Sequence, residues 1–400
     1  MNPSAAPVAS APDASCAVVA IGASAGGVAA LREVVSGLPP GLPPAVFIVL
    51  HLPAHRVSDL AAVLQRATTL AVSVAVDGQP IEAGHVYVAP PDRHLVLHPG
   101  LIRLTRGPRE CRVRPAVDVL FRSAASAYSS CAIGGVLSGA PDDGTAGLWA
   151  IKDCGGIALV QDPATAEFPS MPESACRFVE VDSVLPLAQI GREITHRVSL
   201  LRSAEPLHAA PSEKVRIETA IAVDGNGIRN GVLKLGSASG YTCPECHRAL
   251  VRIEDGPIVR FRCHSGHAYS TSTLLTEING SIDRGIWDAV RDIEERGLLL
   301  RDIGMRAARA GHATTVTRCT SQAEDADRRA RVASKLAARS PLLRPRTGRH
   351  ERHFGRVTAR GGKITGWSMA FLDGHQAAVP GRPYADGTAL TAVSCTHLCR

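Results

Sequence analysis

Residues 16–27, CAVVAIGASAGG, set a six-residue apolar run directly before a loop of glycines and small residues around Ser24. A run of that length and β-branched content fits a strand buried on both faces of a parallel sheet. Gly22-Ala23-Ser24-Ala25-Gly26 matches G-x-S-x-G, in which small neighbours allow a tight strand-to-helix turn that displays the hydroxyl. The helical spacing of VAALREVVSGL, ended at Gly37-Leu38-Pro39, supplies the helix that must follow. Together these restrict the chain to an α/β architecture with Ser24, a candidate nucleophile, at the carboxyl end of a parallel strand. The rival occupant of that location is a dinucleotide-binding turn. It needs G-x-G-x-x-G, where Ser24 replaces the second glycine, and an acid about 20 positions on. The second strand, residues 45–50, ends instead in His51.

Reactive groups of an open α/β sheet gather at the carboxyl ends of neighbouring strands. Ser24 and His51 both fall there, so they can meet although 27 positions apart. A third apolar strand, residues 132–137, leads into Ser-Gly-Ala-Pro-Asp142-Asp143-Gly144 and a helix. A serine needs a base to take its proton, and the base needs a carboxylate to fix its tautomer and stabilise the imidazolium. The chain order Ser…His…Asp differs from the Ser…Asp…His of α/β-hydrolases.

The segments GASAGG, VLHLP, GHVYVAPPDRHL, RPAVDVLFRSAA, LSGAPDDGTAGL and ALVQDPATAEFPSMPESA resemble, in order, the catalytic domain of the chemotaxis protein-glutamate methylesterases, the CheB family. The resemblance covers about residues 15–195. It implies a doubly wound, mostly parallel sheet and hydrolysis of γ-glutamyl methyl esters on chemoreceptors, with methanol released. Many members also deamidate receptor glutamines. It assigns the nucleophile to Ser24, the base to His51 and the orienting carboxylate to Asp143, the residue before the loop glycine. Asp142 is the competitor and takes the variable position of the family's G-M-G-x-D-G loop. Ala140 and Pro141 replace that loop's Met and Gly. Proline has no N–H, so oxyanion donors are sought at Ala140 and at Ala25 in the elbow.

Other residues here have duller readings beside functional ones. His94 lines the cleft or serves as a structural hydrogen-bonder. Arg112, Arg114 and Arg122 meet an acidic receptor face or are plain surface arginines. Asp162 and Glu167 sit in a Pro-rich connection near the family's active site.

Four hundred residues suggest two or three domains, and 45% hydrophobic content suffices for a core. No stretch approaches the ~18 apolar residues of a membrane span, and the N-terminus lacks signal-peptide features. A cytoplasmic enzyme is expected. Eleven cysteines form no secreted disulfide pattern; those at 16, 111, 131, 154 and 176 are expected as free thiols packed as small hydrophobes. The net charge is +7, but residues 341–400 hold a surplus of six, leaving +1 for residues 1–340. Nucleic-acid binding would rest on that tail alone, which has no aromatic-basic interleaving. The tail departs from what family members usually carry there, as an altered reading frame in a GC-rich gene would.

Residues 240–270, YTCPECHRALVRIEDGPIVRFRCHSGHAYS, read as a zinc-ribbon-like unit. Cys243, Cys246, Cys263 and His267 offer three thiolates and an imidazole for a closed tetrahedral zinc site. His264 is disfavoured by its adjacency to Cys263, and His247 is weaker still; a plain β-hairpin with reduced cysteines is the alternative. Stand-alone esterases of the family often carry a similar CPEC…FRCxxGH extension. Leu274, Ile278, Ile282, Ile286, Val290 and Ile293 then form a stripe at helical spacing, read as core, before a second helical segment over 323–339. The expected organisation is a disordered N-terminus (1–14), a catalytic domain (15–196), a linker with strand-like pieces such as 217–223 (197–239), the zinc unit (240–270), a helical hairpin (271–339) and a basic tail of disordered composition (340–400).

The expected function is a protein-glutamate methylesterase with no catalytic cofactor and a structural zinc. Its partners are chemoreceptors and chemosensory signalling proteins, with no nucleic acid and no membrane insertion. A catalytically silent receptor-docking adaptor is the alternative. Fifteen residues before the first strand cannot hold a receiver domain of about 120 residues, so no phosphorylation-gated lid is expected.

Overall fold

The computed structural model describes residues 17–54, 58–203 and 210–339. The segments 1–14 and 340–400 named above lie outside the described residues. The first half alternates strand and helix: β1 (Val18–Ala23), α1 (Gly27–Ser36), β2 (Ala45–Leu50), α2 (Leu60–Gln65), β3 (Ala71–Val74) and β4 (His85–Val88). A hairpin, β5 (His94–His98) with β6 (Leu101–Thr105), precedes α3 (Val117–Tyr128), β7 (Ala132–Val136), α4 (Thr145–Asp153), β8 (Ile157–Gln161), α5 (Ser170–Phe178), β9 (Ser183–Leu185) and α6 (Leu187–Ser203). The sheet order is β3-β4-β2-β1-β7-β8-β9, with every neighbouring pair parallel. Strand order reverses between β1 and β7, which makes their carboxyl ends the place where an open sheet binds its ligands.

The central strands are continuous apolar runs because both faces are covered. Along β1, Val18 and Ala20 join a core with Phe47, Leu120, Phe121 and Leu148. Val19 and Ile21 point the other way, to Leu31, Val34, Ile48 and Ile190.

Among the described residues of 197–239, helices stand where a linker is expected. α6 runs through Ser203, and α7 (Glu213–Asp224) is helical where 217–223 reads as strand-like. Ser212 caps α7 by accepting from the Val215 amide, and Gly225, at φ 70°, ends it. Val215, Ile217, Glu218, Ile221 and Ala222 are buried at helical spacing. Packing and caps outweigh the β-branched composition.

The C-terminal unit is an antiparallel sheet of β10 (Ser237–Thr242), β11 (Ala249–Asp255), β12 (Ile258–Cys263) and β13 (Ala268–Ser270), followed by α8 (Thr271–Arg309) and α9 (Ala313–Arg339). The β11–β12 turn rests on α4: a Cβ on Gly256 would stand 2.3 Å from the Trp149 ring. β13 docks on the first half, with the Cys111 amide donating to the Ala268 carbonyl and the Ala268 amide to that of Arg109. α8, about 58 Å long, folds back on α9 through a seam of small residues, among them Gly297, Gly304, Cys319, Ala323 and Ala326. The expected core stripe is only partly buried: Leu274 and Val290 are covered, while Ile282 is 45% exposed because the narrow seam reaches one edge of the helix. Of the cysteines expected as free thiols, Cys111, Cys154 and Cys176 are free, Cys131 is disulfide-bonded, and Cys16 lies outside the described residues. No helix among the described residues is long and apolar enough to cross a membrane.

Candidate active site

Ala23 pairs with Leu50, so Ser24 and His51 are the next residues on adjacent strands, tied by the His51 amide donating to the Ala23 carbonyl. After Ser24 the chain turns through Gly26 at φ 71°, a conformation that favours glycine, into α1. Asp143 follows β7, the strand on the other side of β1. His51 Nε2 lies 2.7 Å from Asp143 Oδ2, with the carboxylate 1% exposed and the imidazole 10%. The structure thus brings together His51 and Asp143. It places Ser24 beside them, but among the described residues Ser24 Oγ makes no hydrogen bond to the His51 ring. Nucleophile–base bonds are commonly long in apo structures.

Asp143 is held by more than His51. Its Oδ2 accepts from the Val117 amide at 2.7 Å and its Oδ1 from the Asp118 amide at 3.0 Å. These are the first amides of α3, where the helix dipole favours a negative charge. Asp142 faces elsewhere: Ser272, in the first turn of α8, donates to its Oδ2 at 2.5 Å. Burial raises the Asp142 carboxyl above the ordinary range.

Three supporting residues lie within the family-like segments, where neither residue type nor spacing marks their part in the site. Ser138 accepts the Ser24 amide on its carbonyl and donates from Oγ to the Ala25 carbonyl, while its own amide donates to Gln161 Oε1. Gly139 lies so close that a Cβ there would stand 2.8 Å from Ser24 Cβ. Asp118, 5% exposed, accepts on Oδ1 from the amides of Gly144 and Gly147. Burial, and then the neighbouring Asp143 charge, push Asp118 up to about 7. The amides of Ala25 and Ala140 donate to no acceptor among the described residues.

His94 is fully buried, its Nε2 at 2.9 Å from the Pro108 carbonyl and its Nδ1 accepting from the Ala116 amide. Burial brings it down to about 4. It fixes the loop before α3 and does not line the cleft. Arg114 and Arg122 turn inward, whereas the Arg112 side chain stays 45% exposed. Arg112 pairs with Glu277, and Arg114 with Asp92. Arg122, 1% exposed, pairs with Glu110, and Arg262 of β12 bridges Glu110 and Glu218, which also holds Arg260. Asp162 caps a short turn through the Ala164 amide, and a Cβ on Gly26 would stand 2.9 Å from Glu167 Oε2.

Cys243, Cys246, Cys263 and His267 converge, with their ligand atoms within 4.8 Å of one another. Cys263 Sγ lies 3.5 Å and Cys243 Sγ 3.7 Å from His267 Nδ1, and Cys246 Sγ lies 3.6 Å from Cys263 Sγ. A zinc tetrahedron with bonds of about 2.0–2.3 Å has edges of about 3.5–3.8 Å, so this donor set fits that metal. A cavity of about 580 Å³ lies between the two halves beside the loop that carries Asp142. Asp142, Thr145, Arg177, Ile258 and Ser272 line it; Ser24 and His51 do not.

Residues 19–194 match the family model described as CheB methylesterase. A protein-glutamate methylesterase/protein-glutamine glutaminase 2 of Anaeromyxobacter dehalogenans is 42% identical over 177 residues, 44% of this chain and 52% of that protein. The chain spans about half the length of that relative. A putative protein-glutamate methylesterase/protein-glutamine glutaminase of Leptospira interrogans is 38% identical over 174 residues, 43% of this chain and 90% of that protein. The solved Thermotoga maritima CheB methylesterase catalytic domain aligns over 45% of this chain and 98% of its own, at 33% identity and a TM-score of 0.44. With nearly the whole of the Leptospira protein accounted for within its first half, the chain belongs to the CheB methylesterase family.

Proposed function

We propose that the chain is a protein-glutamate methylesterase that hydrolyses γ-glutamyl methyl esters on chemoreceptors through Ser24, His51 and Asp143, with receptor glutamines as a second substrate. The observation that carries this reading is the buried 2.7 Å pair of His51 and Asp143 one strand position from Ser24, at the reversal of strand order. With Nε2 committed to the carboxylate, Nδ1 is the nitrogen left to take the Ser24 proton. Ser24 Oγ attacks the ester carbonyl carbon while the Ala25 and Ala140 amides receive the developing oxyanion. His51 passes the proton to the departing methoxide as methanol. Water, deprotonated by the same imidazole, then cleaves the acyl-serine to leave a glutamate carboxylate. The step calls on no metal. Zinc on Cys243, Cys246, Cys263 and His267 is structural in this reading, closing the knuckles that border β12 and β13.

Methanol release from a methylated receptor preparation tests the proposal. Full activity after Ser24→Ala would reject it, whereas loss with Ser24→Ala and His51→Ala in folded protein supports it.

A further inference from the structure

Asp118 and Asp143 hold each other's helices. Asp143 accepts the first two amides of α3, at 2.7 and 3.0 Å. Asp118, the second residue of α3, accepts on Oδ1 from the Gly144 amide at 3.0 Å and the Gly147 amide at 2.6 Å, at the start of α4. Gly147 makes the approach possible, since a Cβ there would stand 2.6 Å from Phe121 Cβ and 2.9 Å from the Asp118 backbone. Gly144, at φ 97°, turns the chain from Asp143 into α4. The residue after the catalytic carboxylate is thus fixed by a side chain from the helix that the carboxylate itself caps.

We propose that Asp118 is a positioning residue for the hydrolytic reaction, clamping the loop that carries Asp143 so that its Oδ2 meets His51. The groups facing it are Asp143 from the loop, Arg122 on its own helix with Nη1 at 3.9 Å from Oδ2, and Arg260 and Glu110 from packed neighbours. Its effect lies in two accepted backbone hydrogen bonds rather than in its charge, and burial favours its protonated form near neutral pH. Asparagine therefore substitutes for it and alanine does not. A 1 Å displacement of a catalytic group costs on the order of 10²-fold in rate.

The inference rests on the proposed Ser24–His51–Asp143 arrangement, so the test reads the serine directly as well as the ester. In the full chain, the rate at which a fluorophosphonate phosphonylates Ser24, with loss of fluoride, is measured alongside methanol release. Asp118→Ala should lower both rates by about 10²-fold, acting on kcat with KM little changed, while Asp118→Asn stays within about threefold. In an Asp143→Ala background, Asp118→Ala should change labelling by less than about threefold, because the group it positions is gone. Equal losses for Ala and Asn, a wild-type labelling rate for Ala, or a full additional loss in the Asp143→Ala background would each overturn the proposal. If the alanine protein does not fold, Asp118→Ser, a shorter acceptor, must show an intermediate labelling rate, and a wild-type rate refutes the clamp. Labelling that obeys these expectations without methanol release would reject the methyl-ester substrate and leave the clamp standing.

Discussion

Asp143→Asn tests the register of the carboxylate, because the two oxygens of Asp143 face three donors. Oδ2 meets His51 Nε2 and the Val117 amide, and Oδ1 meets the Asp118 amide. An asparagine oxygen at the Oδ2 place keeps two of these contacts but aims its NH₂ at the Asp118 N–H. In the opposite orientation the NH₂ confronts both Val117 and the imidazole. Either way a buried donor loses its acceptor, at about 1–3 kcal/mol. The lost charge-assisted bond to an imidazolium in the transition state costs about 1.5–3 kcal/mol more in rate, and the corresponding change in a serine protease costs about 10⁴-fold. A fall in kcat of about 10³–10⁴-fold is expected, with KM little altered. Asp142→Asn should change kcat by less than about fivefold, since Asp142 faces Ser272 and not His51. Steady-state methanol release with circular dichroism as the folding control measures both. A severe Asp142→Asn beside a mild Asp143→Asn would refute the assignment.

Metal analysis of freshly purified protein should give about one zinc per chain, lost in Cys243→Ser or Cys246→Ser. Chelation should lower Tm while leaving ester hydrolysis measurable, and zinc-free native protein would reject the site. Arg122→Met leaves Glu110 with Arg262 alone and Glu218 with Arg260 and Arg262, and should cost about 1–3 kcal/mol in urea unfolding; an unchanged or raised stability would contradict this. Two groups oppose each other in pH dependence. His94, held down to about 4, stays neutral when folded, so the unfolded chain binds more protons between about pH 4 and 6.5 and stability rises with pH there. Asp118, pushed up to about 7, binds its proton more tightly when folded, so its contribution falls as pH rises from about 4 to 7. Wild-type stability should change little between pH 4.5 and 6.5, whereas Asp118→Asn should lose up to about 1.4 kcal/mol per unit on acidification. A flat Asp118→Asn profile would refute that balance.

The parallel strands were legible because burial on both faces leaves unbroken apolar runs: the expected 45–50 is β2, and β1 and β7 differ from expectation by one or two residues. Placing Ser24, His51 and the Asp142-Asp143 pair at strand ends followed from that pattern alone. Asp118 and Ser138 did not, since their partners lie 26 to 29 and 113 positions away and only the closed fold shows the contact. α7 was hidden because ETAIAV looks like a strand, while its caps stand outside the apolar segment. Arg122 shows the opposite failure: composition assigns arginine to the surface, and long-range partners pull this one into the interior.

The ring of charges around Arg122 bears on how such a chain can be inherited. Glu110 and Arg122 come from the esterase half, and Glu218, Arg260 and Arg262 from the C-terminal half. Each side supplies counterions that the other lacks. Grafting this C-terminal half onto a related esterase with an apolar residue in place of Arg122 would bury Glu218 beside one fewer cation, and the reverse graft would leave Arg122 with Glu110 and Asp118 but without Glu218. A graft that keeps every carboxylate and guanidinium of this network paired therefore needs a donor that carries both sets.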